Sequence, residues 1–263
     1  MTVGGPTITL SNGVKMPQVG LGTWQSSPAE VKGAVKAAIE AGYRLIDTAA
    51  CYQNEGAIGD VIHELIQAGK VKREDLFITT KLWVTHLHPD DIESAIRESL
   101  RLLQLDYVDL YIPHMPTCFN VELHLYWPQH ELHEICKKHN ISITSYATLG
   151  SPGRVNFKLP SGVKLEWAPA PADMDDPNVK KLAEKYKKTP AQILLRYVMD
   201  RNIAVIPKSV NPSRIVENFQ VFDFKLTPDE IKELETTPHR QRLFLQDFME
   251  GHPEDAFASE RKH

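Results

Sequence analysis

Short apolar runs alternate with amphipathic stretches of helical period along nearly the whole chain, and this alternation restricts the fold more than any single residue does. Strand-like segments at 20–24, 44–49, 76–82, 107–115, 120–126, 142–150 and 203–209 are separated by helix-like ones. The first helix opens at Ser27-Pro28 and carries Val31, Val35, Ala38 and Ile39 on one face. Others are expected near 55–68, over 90–103 with an apolar stripe of Ile92, Ile96, Leu100 and Leu103, and at 130–139, 177–188, 190–201, 213–219 and 227–235. Strands that alternate with helices build a parallel sheet. Before them, Thr7–Leu10 and Val14–Pro17 flank Asn12-Gly13, a pair that supplies the positive φ angles of a tight hairpin, so a lid on one end of the sheet is expected.

Seven strands of this kind plus a leading hairpin predict an α/β fold closed as a (β/α)8 barrel of TIM type, one strand short. The shortfall lies after His114, where six residues separate it from Val121. Two parallel neighbours need a crossover of about a dozen residues or more, commonly a helix. Either the run from Asn120 to Tyr126 is antiparallel at this point, or the barrel has a gap that opens two strand edges.

The chain has 263 residues, 42% of them hydrophobic and 24% charged, which suits one domain over 1–263. A net charge of -4 without a basic stripe argues against nucleic acid and anionic membranes and favours a small neutral or weakly charged substrate. Cys51, Cys118 and Cys136 are too few and too irregular for a disulfide framework. With neither a signal-like start nor a run of 18 apolar residues, a cytoplasmic protein is expected, and a monomer. No metal is expected: His130 and His133 lie one helical turn apart but lack a third ligand at matching spacing.

The strand ends carry the chemistry. One run closes on Asp47, the next on Lys81 and the next on His114, with Tyr52 five residues past the first. Groups at the carboxyl ends of neighbouring parallel strands converge on one face of a barrel. A tyrosine hydroxyl titrates near 10 and is a poor acid at neutral pH unless its anion is stabilised. An ammonium at Lys81, held by Asp47, would do this, a change worth about 3 to 4 kcal/mol. His114 can hydrogen-bond a carbonyl oxygen beside that tyrosine. Each residue alone reads as an ordinary surface or packing group; their joint placement reads as a site.

The carboxyl half adds an anion site. Ile206-Pro207-Lys208-Ser209 closes an apolar strand, and Arg214 stands in the opening turn of the next helix, whose free N–H groups favour phosphate. Gly20-Leu21-Gly22 is followed by Gln25 rather than glycine, which disfavours a Rossmann fold.

Together these segments resemble the aldo-keto reductase superfamily, in its aldehyde and aldose reductase branch. The resemblance rests on Gly20 to Trp24, on Asp47-Thr48-Ala49 leading to Tyr52, Asn54 and Glu55, on Ile78 to Trp83, and on Ile206 to Ser209 continuing to Arg214, Glu217 and Asn218. It runs from near residue 7 to about 256. It implies an oxidoreductase that binds NADPH across the barrel and reduces aldehyde or ketone carbonyls, with Tyr52 as general acid, Lys81 and Asp47 tuning it, and His114 orienting the substrate oxygen. It further implies Tyr146 stacked on the nicotinamide, Gly22 and Thr23 in the cofactor site, and Leu149 and Ser151 beside the pyrophosphate. Lys208 and Arg214, with Ser209, would clamp the 2'-phosphate, Glu217 and Asn218 would hold the adenine, and Trp24 and Trp83 would wall an apolar substrate pocket.

The departures from that family are local. After His114-Met115-Pro116 it carries on the order of 50 further residues of βα material, including a Ser-Asn pair and a glutamine that grip the nicotinamide carboxamide; here the chain is internally truncated near 117–121. Pro113 removes a backbone donor just before His114, Leu123-His124-Leu125-Tyr126 replaces Cys-His-Pro-Tyr, and the tail after His239 is divergent apart from His252-Pro253 and Phe257. A second reading follows: an alternatively spliced or mispredicted product, catalytically impaired, that binds NADP or acts as an interaction protein.

Overall fold

Proline and a hydrogen-bonding cap fix where the helices begin. Pro28, Pro89, Pro177, Pro190, Pro212 and Pro228 each occupy the first turn of a helix, where a missing N–H costs nothing. Ser27, Thr189 and Thr227 close reciprocal capping boxes with Glu30, Gln192 and Glu230, while Asp176 and Asn211 cap through one side chain. The computed structural model describes residues 3–114, 120–157, 167, 169–245, 250, 251, 253, 257 and 258. The segment 115–119, on which most of the expected truncation falls, and His252 lie outside the described residues.

In chain order the elements are β1 (Thr7–Thr9), β2 (Lys15–Pro17), β3 (Gly20–Gly22), α1 (Pro28–Ala41), β4 (Leu45–Asp47), α2 (Glu55–Gln67), β5 (Phe77–Leu82), α3 (Pro89–Leu103), β6 (Leu110–Pro113), β7 (Asn120–Glu122), α4 (His130–Lys138), β8 (Thr144–Tyr146), α5 (Pro177–Tyr186), α6 (Pro190–Asp200), β9 (Ala204–Val205), α7 (Pro212–Phe219) and α8 (Pro228–Leu234). β3 to β6 form one parallel sheet and β7 to β9 another. Parallel bridges Val19 to Val205 and Gly22 to Lys208 join the two across β9 and β3. The seven parallel strands are the wall of a (β/α)8-type barrel. Outside it, α1 packs between α2 and α7, and α2 packs against α3.

β7 runs parallel to β8, which removes the antiparallel alternative for this segment. Among the described residues β6 ladders only with β5, and β7 only with β8. The strand is also shorter than the run 120–126 suggests: it ends at Glu122, and His124 turns back to bridge Trp127.

Apolar side chains of the strands and helices fill the layer between them, with Leu21, Ile46, Ile58, Ile62, Ile78 and Leu103 almost wholly buried. The lower end of the barrel is stoppered separately. Ile8 and Met16 of the hairpin pack on Leu45, Phe77 and Ala204. The hairpin thus acts as the expected lid, but by a different turn: only Gly13 has positive φ, while Asn12 accepts a hydrogen bond from Val14 N through its side chain. α3 is found where expected, but its apolar stripe is covered mainly at its end. Ser99 and Leu103 are its buried residues, Ile92 remains 37% exposed, and Ile96 and Leu100 are half-buried. No helix among the described residues is long and apolar enough to cross a membrane.

The approach of α2 to the end of α3 depends on Gly59, where an added Cβ would stand 2.6 Å from Leu102 O and from the carbonyl of Leu103. These are backbone atoms that cannot swing aside, so Gly59→Ala is expected to lower stability by about 1 to 3 kcal/mol, read as a lower urea midpoint at unchanged slope.

Candidate active site

The parallel ladder places the ends of β4 and β5 side by side, with Asp47 in register with Thr79 and Lys81 with Ile112. Lys81 is 2% exposed, so its ammonium needs partners inside the protein. It donates to Asp47 Oδ1 at 2.6 Å and to Thr48 O at 2.7 Å. The same nitrogen lies 5.2 Å from the centre of the Tyr52 ring. Tyr52 ends a short 3-10 turn, Ala50–Tyr52, that is closed by Gln53 at φ 56°. Asn54 secures that turn to the neighbouring strand end: its amide donates to Thr23 O and Ser26 O at 3.0 and 3.1 Å and accepts from the Thr48 hydroxyl at 3.1 Å. Behind Lys81, Glu55 accepts from Thr80 and Ser99, and burial raises its carboxyl above the usual range.

His114 follows β6 and is fixed by its backbone N–H, which donates to Leu82 O at 2.8 Å. Its ring stands edge-on to Tyr52 at 5.5 Å between centres and to Trp83 at 5.4 Å. Burial, reinforced by the Lys81 charge, lowers its pKa to about 3. Cys51 Sγ lies 3.3 Å from His114 Nδ1, and burial pushes this thiol up to about 11. Both groups are therefore neutral at physiological pH. The arrangement that satisfies both is a thiol donating to Nδ1, which leaves the ring proton on Nε2 as a donor.

The residues expected to bind a cofactor stand on the other half of the same rim. Tyr146 ends β8, in register with Glu122. The chain then turns sharply, with Ala147, Gly150 and Ser151 all at positive φ and Leu149 half-buried between them. Gly150 is required there, because a Cβ would sit 2.6 Å from Asp173 Oδ1. Gly22 ends β3 in the first sheet and Thr23 follows it: Gly22 N donates to Pro207 O, and the Thr23 hydroxyl donates to Asp47 O at 3.0 Å. Lys208 donates to Gln25 O at 3.3 Å, and burial with the nearby Arg214 charge lowers its pKa. Ser209 accepts from Asn211 N at the start of α7, whose first turn carries Arg214. On the same helix Glu217 accepts from the Thr189 hydroxyl, and Asn218 is buried.

Sequence reasoning missed the wall above Trp24. That indole lies 5.3 Å from the Phe157 ring and 5.8 Å from Phe244, and Phe244 in turn meets Tyr146 at 5.6 Å and Trp167 at 5.4 Å. Phe157, Trp167 and Phe244 belong to loop and tail, where hydrophobic period carries no signal.

Residues 18–121 and 116–237 match the family model described as the Aldo/keto reductase family. Aldo-keto reductase family 1 member A1 of Gallus gallus is 39% identical over 297 residues, covering 88% of this chain and 88% of the relative. The protein of that name from Homo sapiens is 37% identical, covering 86% and 87%. Among solved structures, the aldose reductase from Schistosoma japonicum superposes with a TM-score of 0.84 at 33% identity, covering 97% of this chain and 100% of that one. The Bombyx mori aldo-keto reductase in complex with NADP gives 0.83 at 32% identity, covering 96% and 98%.

A depressed histidine pKa has a definite effect on acid stability. Between 6.5 and about 3 the unfolded chain protonates this imidazole while the folded chain does not, so its contribution is lost as pH falls through that window. The His114 ring resonances are expected to stay constant from pH 8 to 5, and His114→Asn is expected to flatten the acid limb of a stability-against-pH curve.

Proposed function

The chain belongs to the aldo/keto reductase family, and on that premise we propose that it is an NADP-dependent reductase of aldehydes and ketones in which Tyr52 is the general acid. The carrying observation is the convergence of three groups from successive strand ends with Tyr52 from the turn after the first: Lys81 Nζ at 2.6 Å from Asp47, 5.2 Å from the Tyr52 ring centre, and His114 beside that ring. When bound, the cofactor supplies a hydride to the carbonyl carbon. Tyr52 protonates the carbonyl oxygen as charge builds on it, and the Lys81 ammonium, kept charged by Asp47, stabilises the tyrosinate left behind. The Nε2 proton of His114 orients the same oxygen.

The donor set fits a phosphorylated dinucleotide. Lys208 and Arg214 act on each other as like charges, with Glu30 the opposing acid near Lys208, and a phosphate placed at the start of α7 would relieve that repulsion. Ser209 adds a hydroxyl, and Glu217 and Asn218 lie further along the same helix, where the adenine would lie. Tyr146 would stack on the nicotinamide. Leu149 and Ser151 would lie beside the pyrophosphate, with Gly22 and Thr23 across the rim. Trp24 and Trp83 would bound the substrate on its apolar side.

A specific observation supports the second reading, a shortened and impaired form. β6 and β7 each ladder on one side only among the described residues, and the alignment with the Gallus gallus relative runs over 297 positions, more than the 263 residues of this chain, so it contains gaps in this chain. If the material absent near 117–121 is the carboxamide-gripping segment that the family resemblance implies, ring orientation would suffer more than phosphate binding.

Purified protein with NADPH and an aromatic aldehyde is expected to consume the cofactor, and Tyr52→Phe to lower kcat by about 10²- to 10⁴-fold with cofactor affinity unchanged. Cofactor binding without turnover above the Tyr52→Phe background would replace this reading with the impaired form.

A further inference from the structure

Glu122 is a buried carboxylate with several partners outside the residues assigned above. It ends β7 and is 1% exposed. Its Oε1 accepts from Leu243 N at 2.5 Å and its Oε2 from Phe244 N at 3.1 Å, so one side chain holds two successive backbone amides. Arg242 Nη1 stands 3.8 Å from Oε2. On the other side His124 Nε2 lies 3.3 Å from Oε1, and His124 Nδ1 lies 3.1 Å from Asp173 Oδ2. The two acids raise the pKa of that histidine to about 9, which keeps it cationic against them. The carboxylate is thus held in place from below while it holds the tail from above.

We propose that Glu122 is the anchor that seats the Arg242–Phe244 stretch beside the barrel mouth and thereby sets how wide a carbonyl substrate the aromatic wall admits. Phe244, the second anchored residue, is 8% exposed and lies among the rings of Trp24, Tyr146 and Trp167. The anchor and Tyr146 are register partners on adjacent strands. The wall is therefore referenced to the same rim of the barrel as the reacting groups, and an error in the anchor becomes an error in pocket width. Glu122 is a positioning residue: it acts through Phe244. The proposal deepens the carbonyl-reductase reading and rests on it for the nature of the substrate.

A carboxylate is required because both bonds need an acceptor. Glutamine has the same shape but offers one acceptor oxygen, and its NH2 would face a backbone N–H. In Glu122→Gln the Leu243–Phe244 segment is expected to lift. Trypsin should cleave after Arg242 at least several times faster, since the bond it attacks contains the Leu243 amide. The preference for 2-naphthaldehyde over benzaldehyde should rise roughly tenfold in kcat/KM, the lower end of what one altered contact gives in an apolar pocket. Phe244→Ala, which leaves the anchor intact, should raise the same preference with cleavage after Arg242 unchanged. Wild-type cleavage in Glu122→Gln overturns the anchor, and a released tail with unchanged preference overturns its role in substrate width. Should the wild-type protein not turn over at all, the reductase reading fails separately, and the preference is then read from the two aldehydes' dissociation constants by tryptophan quenching.

Discussion

An amine buried at a strand end has to be met by acceptors that are also at strand ends, and Lys81 imposes this requirement on the upper rim of the barrel. Its partners are Asp47 on the adjacent strand and the Thr48 carbonyl immediately beyond. The attraction between such charges is offset by the cost of taking both out of water. What the pair secures is geometry: removing either member would leave an uncompensated charge, so β4 and β5 cannot slip relative to one another. The turn carrying Tyr52 then inherits its position from Asn54, which bonds to carbonyls on the rim next to it. Reactivity and register are thus enforced by the same contacts.

The protonation states around this pair are consistent with one another. A cation at Lys81 and a desolvated pocket both oppose a charged imidazole at His114, and desolvation opposes a thiolate at Cys51. A neutral ring that accepts at Nδ1 is a donor at Nε2, which suits an electron-rich oxygen. The second rim, from Tyr146 to Arg214, is built differently. It combines positive-φ turns at Ala147, Gly150 and Ser151 with a helix cap at Asn211.

Much of this was legible in the sequence because it is periodic or local. Alternating apolar runs give strands and helices, and Ser27-Pro28, Thr189-Pro190 and Thr227-Pro228 mark helix starts through capping chemistry. Asp47, Lys81 and His114 could be found because parallel pairing makes strand ends neighbours. Other features depend on contacts that no short window contains. The stripe Ile92, Ile96 and Leu100 has the period of a buried face, yet period reports amphipathicity and says nothing of whether a neighbour exists to cover it. Asn12-Gly13 marked the hairpin, but the conformation at Asn12 was settled by its own side chain. The run from Asn120 to Tyr126 looked like one strand, whereas the bonds from His124 to Asp173 and from Tyr126 to Asp176 draw its second half out of the ladder. Glu122 could not be singled out at all, since the two amides it holds lie more than a hundred residues away.

That separation bears on biogenesis. Synthesis proceeds from the amino end, and loops of this length close late because their closure entropy is met only when the distant contact forms. A nascent chain would have Asp47, Lys81 and Tyr52 in place, and β7 beside β8, while Phe244 was still unmade. The catalytic rim precedes its own boundary. Until then the carboxylate at position 122 lacks both of the amides it will hold, so the seating of Leu243 and Phe244 waits on synthesis of the chain past them.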